Sequence, residues 1–157
     1  MQIQFWSIGK NHESYVQQGI DDFTGRIKKY FPVEWKIIAP VKNAVALSEA
    51  GLKKAEANII LQQLQKNDCL VLLDETGKQF SSVQLSNFIQ QRANESCKQL
   101  IFLIGGAFGV DNAVKQKANF VWSLSQLVFP HMLVRLILAE QVYRACTILR
   151  NEKYHHQ

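Results

Sequence analysis

Hydrophobic and polar positions change their spacing repeatedly along the 157 residues, which predicts alternating strands and helices. Compact apolar runs predict strands at residues 2–9, 33–40, 69–74, 99–106 and 119–124. Apolar residues three and four apart predict helices at 13–31, 48–66 and 81–94, from about Asp111, and at 130–149. This alternation predicts an α/β fold, a mostly parallel sheet flanked by helices on both faces, in one domain spanning residues 1–157.

Two of the predicted helices begin with recognisable capping residues. Ser48 stands directly before the second helix and can accept a hydrogen bond from its first turn. Ser81 is followed three residues later by Gln84, the spacing of a capping box. Both signals fix where these helices should start.

The composition indicates a general class of protein but no particular function. The chain is 47% hydrophobic and 20% charged, which is typical of a globular domain, and no apolar run is long enough to cross a membrane. The first residues carry no secretory leader, so we expect a cytoplasmic protein without a membrane partner. Cys69, Cys97 and Cys146 are widely spaced, which predicts buried reduced thiols and no metal site. The net charge of +5 tilts the chain towards polyanionic partners.

Ligands of parallel sheets bind at the carboxyl ends of the strands, so three loops are candidates for chemistry. "DETGK" after the third strand reads either as an exposed turn or as one wall of a nucleoside pocket. "GGAFG" after the fourth reads either as a tight turn or as a place where backbone approaches a ligand. "SLSQLVFPH" after the fifth is unusually apolar, which predicts a buried loop whose backbone groups a ligand satisfies.

The last predicted helix carries charges on a mostly apolar surface. Glu140 and Arg144 stand four apart and can pair on one face. Because the helix is apolar over most of its circumference, we expect a second copy of the chain to cover part of it. His131, in the first turn, reads either as a capping or packing residue or as a catalytic group.

Several separated stretches of the chain resemble one family. "LIGGAFG", "WSLSQLVFPHMLVRLILAEQVYRA" and the closing "YHH" resemble the SPOUT-class RNA methyltransferases, and within them the RlmH family of pseudouridine methyltransferases of large-subunit ribosomal RNA. "SIGK" and "LLDETGK" also match, so the resemblance covers essentially the whole chain. The chain departs from the frequent Gly-Gly-Pro-Glu-Gly of the family, since it has Ala107 and Phe108 at the middle positions.

The resemblance implies a trefoil knot near the carboxyl end and a homodimer in which each active site is completed by the partner. It implies S-adenosylmethionine as cofactor, held in a bent pose by the three knot loops. The expected product is a pseudouridine of the 23S ribosomal RNA methylated at its imide nitrogen, within the assembled ribosome. The residues implied to bind the cofactor are Leu73, Gly105, Gly106, Ser125, Gln126, Leu127, Val128, Phe129 and Pro130.

The same resemblance implies a role for the carboxyl-terminal tail. Tyr154 and His155 are expected to close over the methyl group and the target base, supported by Arg144 and His131. Two other functions remain open on the sequence: a non-catalytic ribosome-binding factor, and a nucleotide-dependent enzyme acting on a small molecule.

Overall fold

The five strands form one parallel sheet in the order β2-β1-β4-β3-β5, which confirms the predicted α/β class. The computed structural model describes residues 1–155, so His156 of the predicted tail motif lies outside the described residues. The strands are β1 (Gln2–Ile8), β2 (Val33–Ile38), β3 (Asp68–Gln79), β4 (Gln99–Ile104) and β5 (Phe120–Ser123). Because all the strands run the same way, their carboxyl ends meet at one edge of the sheet.

Five helices cover the two faces of this sheet. They are α1 (Ser14–Ile27), α2 (Glu49–Gln63), α3 (Ser82–Asn94), α4 (Asn112–Lys117) and α5 (His131–Leu149). The helices α1, α3 and α5 pack on one face, while α2 and α4 pack on the other. Side chains alternate along each strand, so Phe5 joins the first core and its neighbour Trp6 joins the second.

Both predicted caps are present. Ser48 Oγ accepts a hydrogen bond from the Gly51 amide at 3.1 Å, and Ser81 and Gln84 form the reciprocal bonds of a capping box. The first helix is shorter than predicted, because it ends at Ile27 and the chain turns before Pro32. A proline disfavours helical backbone in the residue before it, so residues 28–31 cannot extend the helix smoothly into the next strand.

The prediction that the third strand ends at Asp74 is wrong. Trp122 of β5 stands opposite both Leu73 and Lys78, so residues 74–77 bulge out and β3 then resumes. The Asp74 carboxylate holds this bulge by accepting hydrogen bonds from the amide and hydroxyl of Thr76, a side-chain turn that the strand pattern did not show. Gly77 allows β3 to approach β5 closely again after the bulge, since a Cβ on Gly77 would lie 2.7 Å from the backbone of Val121.

Candidate functional site

A cavity of about 510 Å³ opens at the carboxyl ends of β3, β4 and β5. It is walled by the β3 bulge, the glycine loop (residues 105–109), the apolar loop (residues 124–130) and the first turns of α5. The volume is within the range of pockets that bind cofactors and small molecules. The three loops singled out from the sequence therefore meet around one space.

The glycine loop forms a tight turn between β4 and α4. The Gly109 amide donates to the Gly106 carbonyl at 3.0 Å, and Gly109 has a φ of +79°, which favours glycine. A Cβ on Gly105 would lie 2.7 Å from Val110 Cγ1 and 3.3 Å from the Gly109 backbone, so the turn has no room for it. The loop thus presents bare backbone to the cavity at its three glycines, while Ala107 and Phe108 add apolar side chains.

Behind Gly106 lies a carboxylate that sequence reasoning missed. Glu56 of α2 is buried, and a Cβ on Gly106 would stand 2.7 Å from its Oε2 atom. Burial raises the pKa of Glu56 above its ordinary value. Nothing in the local pattern of α2 separates Glu56 from a surface residue, because its neighbour in space is about fifty positions away in the chain.

The apolar loop is held by its serines. The Ser125 hydroxyl accepts a hydrogen bond from the Leu127 amide at 2.9 Å, and the Ser123 hydroxyl donates to the Ser125 carbonyl at 2.9 Å. The prediction that this loop is buried is wrong for the single chain, since Leu127 is 70% exposed and Val128 81% exposed. These side chains border an open cavity, so only a ligand or a second chain could cover them.

Most of the residues predicted to bind a cofactor meet at the cavity. Those that line it are Leu73, Gly105, Gly106, Ser125, Leu127, Val128 and Phe129. The other two do not: Gln126 is exposed to solvent, and Pro130 forms the N-cap of α5.

One ion pair stands in the cavity wall. Lys115 of α4 lies 2.8 Å from the Asp74 carboxylate, and both residues line the cavity. Burial alone would raise the pKa of Asp74, but the hydrogen bonds from Lys115 and Thr76 outweigh it and hold the pKa below its ordinary value. The carboxylate therefore stays ionised at neutral pH. Sequence reasoning had considered Asp74 as a pocket wall, but it missed Lys115.

His131 also lines the cavity, at the first turn of α5. Burial lowers its pKa, and the positive charge of Arg135 one turn later lowers it further. The imidazole is therefore neutral at pH 7 and has a free lone pair. A neutral histidine beside a cavity can accept a proton from a bound molecule.

The other three predicted catalytic residues come together with Glu140, and we call these four the tail cluster. Arg144 Nε donates to Glu140 Oε1 at 3.0 Å, and the Tyr154 hydroxyl donates to the same oxygen at 3.1 Å. The Arg144 guanidinium lies 4.8 Å from the centre of the Tyr154 ring, and its Nη1 lies 3.5 Å from His155 Nδ1. Burial and then Glu140 raise the pKa of Tyr154, so its hydroxyl keeps its proton.

The tail cluster is far from the cavity within one chain. His131 and Val134 of α5 border the cavity, whereas Arg144 lies ten positions after Val134 on the same helix. At the helical rise of 1.5 Å per residue, Arg144 is about 15 Å along the axis from Val134 and about 20 Å from His131. The structure thus brings Arg144, Tyr154 and His155 together but leaves His131 with the cavity.

Within residues 1–155, no group of three or more histidines, cysteines or carboxylates is arranged to hold a metal ion. Among the helices in the same part of the chain, none has the length and apolarity that a membrane crossing requires.

The fold is similar to that of a probable methylase family protein from Haemophilus influenzae, with a TM-score of 0.54 over 97% of this chain and 67% of that chain. The two sequences are only 11% identical, so this likeness concerns the fold alone.

Proteins named "Ribosomal RNA large subunit methyltransferase H" are similar to this chain over its full length. The protein from Cytophaga hutchinsonii is 44% identical over 99% of this chain and 100% of its own. The one from Flavobacterium johnsoniae is 45% identical over 100% of both, and the one from Geobacter metallireducens is 38% identical over 99% of both. The family described as "Predicted SPOUT methyltransferase" matches residues 1–155. The chain therefore belongs to the SPOUT methyltransferase family.

Proposed function

We propose that this protein is an S-adenosylmethionine-dependent methyltransferase that acts on the imide nitrogen of a pseudouridine in 23S ribosomal RNA, within the assembled ribosome. The observation that carries the proposal is the cavity between the glycine loop and the apolar loop, in a chain whose full length matches the relatives named above. A non-catalytic ribosome-binding factor would not need such a cavity.

The residues around the cavity fit this cofactor. Exposed apolar side chains of the apolar loop can cover the faces of an adenine ring, and the bare backbone of the glycine loop can pair with its polar edge. Leu73 and Ser125, which both line the cavity, would contact the adenosine. When bound, S-adenosylmethionine supplies the methyl group that is transferred. The proposal also includes a trefoil knot formed by the chain after β4, in a single domain.

We further propose that two copies of the chain complete each other's sites. Arg144 of the tail cluster lies about 15 Å along α5 from Val134, the cavity-lining residue of that helix nearest to it, so the cluster cannot act at its own cavity without a large movement. Leu127, Val128 and Leu133 are exposed apolar residues beside the cavity, and a second copy would cover them. In a two-fold dimer, the tail cluster of one chain would lie over the cavity of the other.

The cavity residues of one chain and the tail cluster of the other then have different roles in the reaction. The target imide must lose a proton, and a histidine, either the neutral His131 of one chain or His155 of the other, accepts it. The Arg144 guanidinium stabilises the anionic base that results. Glu140 orients this guanidinium, and Tyr154 closes the site above it. Correct positioning of the target nucleobase against the methyl group accounts for much of the rate acceleration.

The cofactor site predicts a specific effect of Gly105→Ala. The new Cβ would press on Val110 and on the backbone of Gly109, so the glycine loop must open. We expect affinity for S-adenosylmethionine to fall by about tenfold, or about 1.4 kcal/mol, measured by calorimetric titration. The control is Gly25→Ala on α1, where a Cβ meets nothing within 4 Å. Equal affinity for the two variants would contradict the proposed cofactor position.

Methyl transfer tests the function itself. Large ribosomal subunits or whole ribosomes from a strain lacking the protein would be incubated with it and labelled S-adenosylmethionine. Mass spectrometry of the nucleosides should then show one methylated pseudouridine in the 23S RNA. Binding to ribosomes without cofactor binding would favour a ribosome-binding factor. Activity on free nucleosides, with none on ribosomes, would favour an enzyme acting on a small molecule.

A further inference from the structure

Arg135 is a buried cation that forms no salt bridge with a carboxylate of residues 1–155. It lies one turn after His131 on α5 and is only 1% exposed. Its Nε donates to the Ser7 hydroxyl at 3.0 Å and its Nη1 donates to the Lys10 carbonyl at 2.9 Å. Among residues 1–155, none of the ion pairs involves Arg135. Buried charges are normally paired by direct contact, so a buried guanidinium held by neutral acceptors alone is unusual.

The loop between β1 and α1, which contains the "SIGK" motif, is folded around this guanidinium. Gly9 has a φ of +131°, and a Cβ there would stand 3.6 Å from Arg135 Nη2. His12 packs edge-on against Trp35, with 4.8 Å between the ring centres. The ring of His12 thus anchors the loop just after the motif, while the Lys10 side chain is exposed.

His12 presents a donor from this loop. Its Nδ1 lies 3.2 Å from Arg135 Nη1, and a guanidinium has only donors, so Nδ1 accepts and Nε2 carries the ring proton. Burial, and then Arg135, lower the pKa of His12, although Asp21 opposes the effect. Glu13 is the carboxylate whose charge acts on Arg135. The loop therefore combines an exposed ammonium and a ring N–H with the buried guanidinium of Arg135 below them.

This group of donors stands at the same edge of the sheet as the cavity. β1 and β4 are parallel neighbours, with Ser7 opposite Ile104, the last residue before the glycine loop. His131, which lines the cavity, is separated from Arg135 by a single turn. A substrate that enters the cavity would therefore pass close to Lys10 and His12.

We propose that the β1–α1 loop, through Lys10 and His12 with Arg135 beneath them, binds a phosphodiester of the RNA next to the target nucleotide. This inference rests on the proposed function. The phosphate accepts one charge-assisted contact from Lys10 and one N–H from His12, and its negative charge adds to that of Glu13 near the buried guanidinium of Arg135. Such a contact positions the RNA chain without reading its bases.

The test is the salt dependence of binding to large ribosomal subunits. The logarithm of the affinity falls linearly with the logarithm of the salt concentration. Each phosphate contact that is lost should reduce the steepness of this fall by about 0.7–0.9. Lys10→Ala should show this loss and bind about three- to tenfold more weakly at physiological salt. Its affinity for S-adenosylmethionine should match that of the wild type. The control is Lys54→Ala, an exposed lysine on α2, across the sheet from α1 and α5, which should keep the wild-type slope.

Each outcome decides the inference. An unchanged slope for Lys10→Ala would overturn it. So would a loss of cofactor affinity with unchanged ribosome binding, because the anion would then be the cofactor carboxylate. If the wild type bound ribosomes but transferred no methyl group, the proposed function would be wrong. A smaller salt-dependence slope for Lys10→Ala than for the wild type would still establish the RNA site. If transfer occurred while Lys10→Ala kept the full slope, only this inference would fall.

Discussion

Arg144→Ala is expected to lower the rate of methyl transfer by about 10²–10³-fold, because the anionic base loses its main source of charge stabilisation. The guanidinium is already held in place by Glu140 and by the Tyr154 ring, so little reorganisation is needed at the moment of reaction. Single-turnover measurements with ribosomes saturated with enzyme and cofactor would show the fall directly. Cofactor affinity should stay within about twofold, since Arg144 is not among the residues that line the cavity and is proposed to contact the target base.

Two further variants separate catalysis from structure in this test. Arg144→Lys keeps the charge but loses the fork geometry, so we expect it to recover only part of the rate. Arg92→Ala removes a comparable arginine, one that pairs with Glu95 on α3, and should leave the rate nearly unchanged. A full rate for Arg144→Ala would remove the tail cluster from the active site, and an equal loss for Arg92→Ala would indicate a general effect of folding.

The order and type of the elements could be predicted because they depend on local spacing. The apolar periods and the caps at Ser48 and Ser81 act within a few residues, and the structure confirms them. The β3 bulge could not be predicted in this way, since it depends on the Asp74 side chain and on a fit between Gly77 and β5. A strand interrupted by a bulge has the same local sequence pattern as a strand that ends.

The candidate site could be predicted in part. The motifs placed most of the cavity-lining residues correctly, because loops at the carboxyl ends of parallel strands must converge. They did not reveal Glu56 or Lys115, which come from helices packed on the other face of the sheet and approach the loops only in the folded chain. Nor could the motifs show that the tail cluster stays away from its own cavity, since that depends on the straight length of α5.

The central claim is that the cavity of one chain works with the tail cluster of another, and mixing two inactive variants tests it most directly. One variant is Arg144→Ala, which has an intact cavity. The other is Val128→Trp, whose larger side chain should fill the cavity from an exposed position while leaving the tail cluster intact. Sedimentation should first show that both variants form dimers, and titration should show that only the second fails to bind cofactor.

After the two variants are mixed and allowed to exchange subunits, each mixed dimer contains one unaltered cavity facing one unaltered tail cluster. Half of the dimers would be mixed at random, so the rate of methyl transfer should recover to about one quarter of the wild-type rate. If each chain instead used its own tail, every site would carry a defect. A mixture no more active than the two variants measured separately would contradict the account.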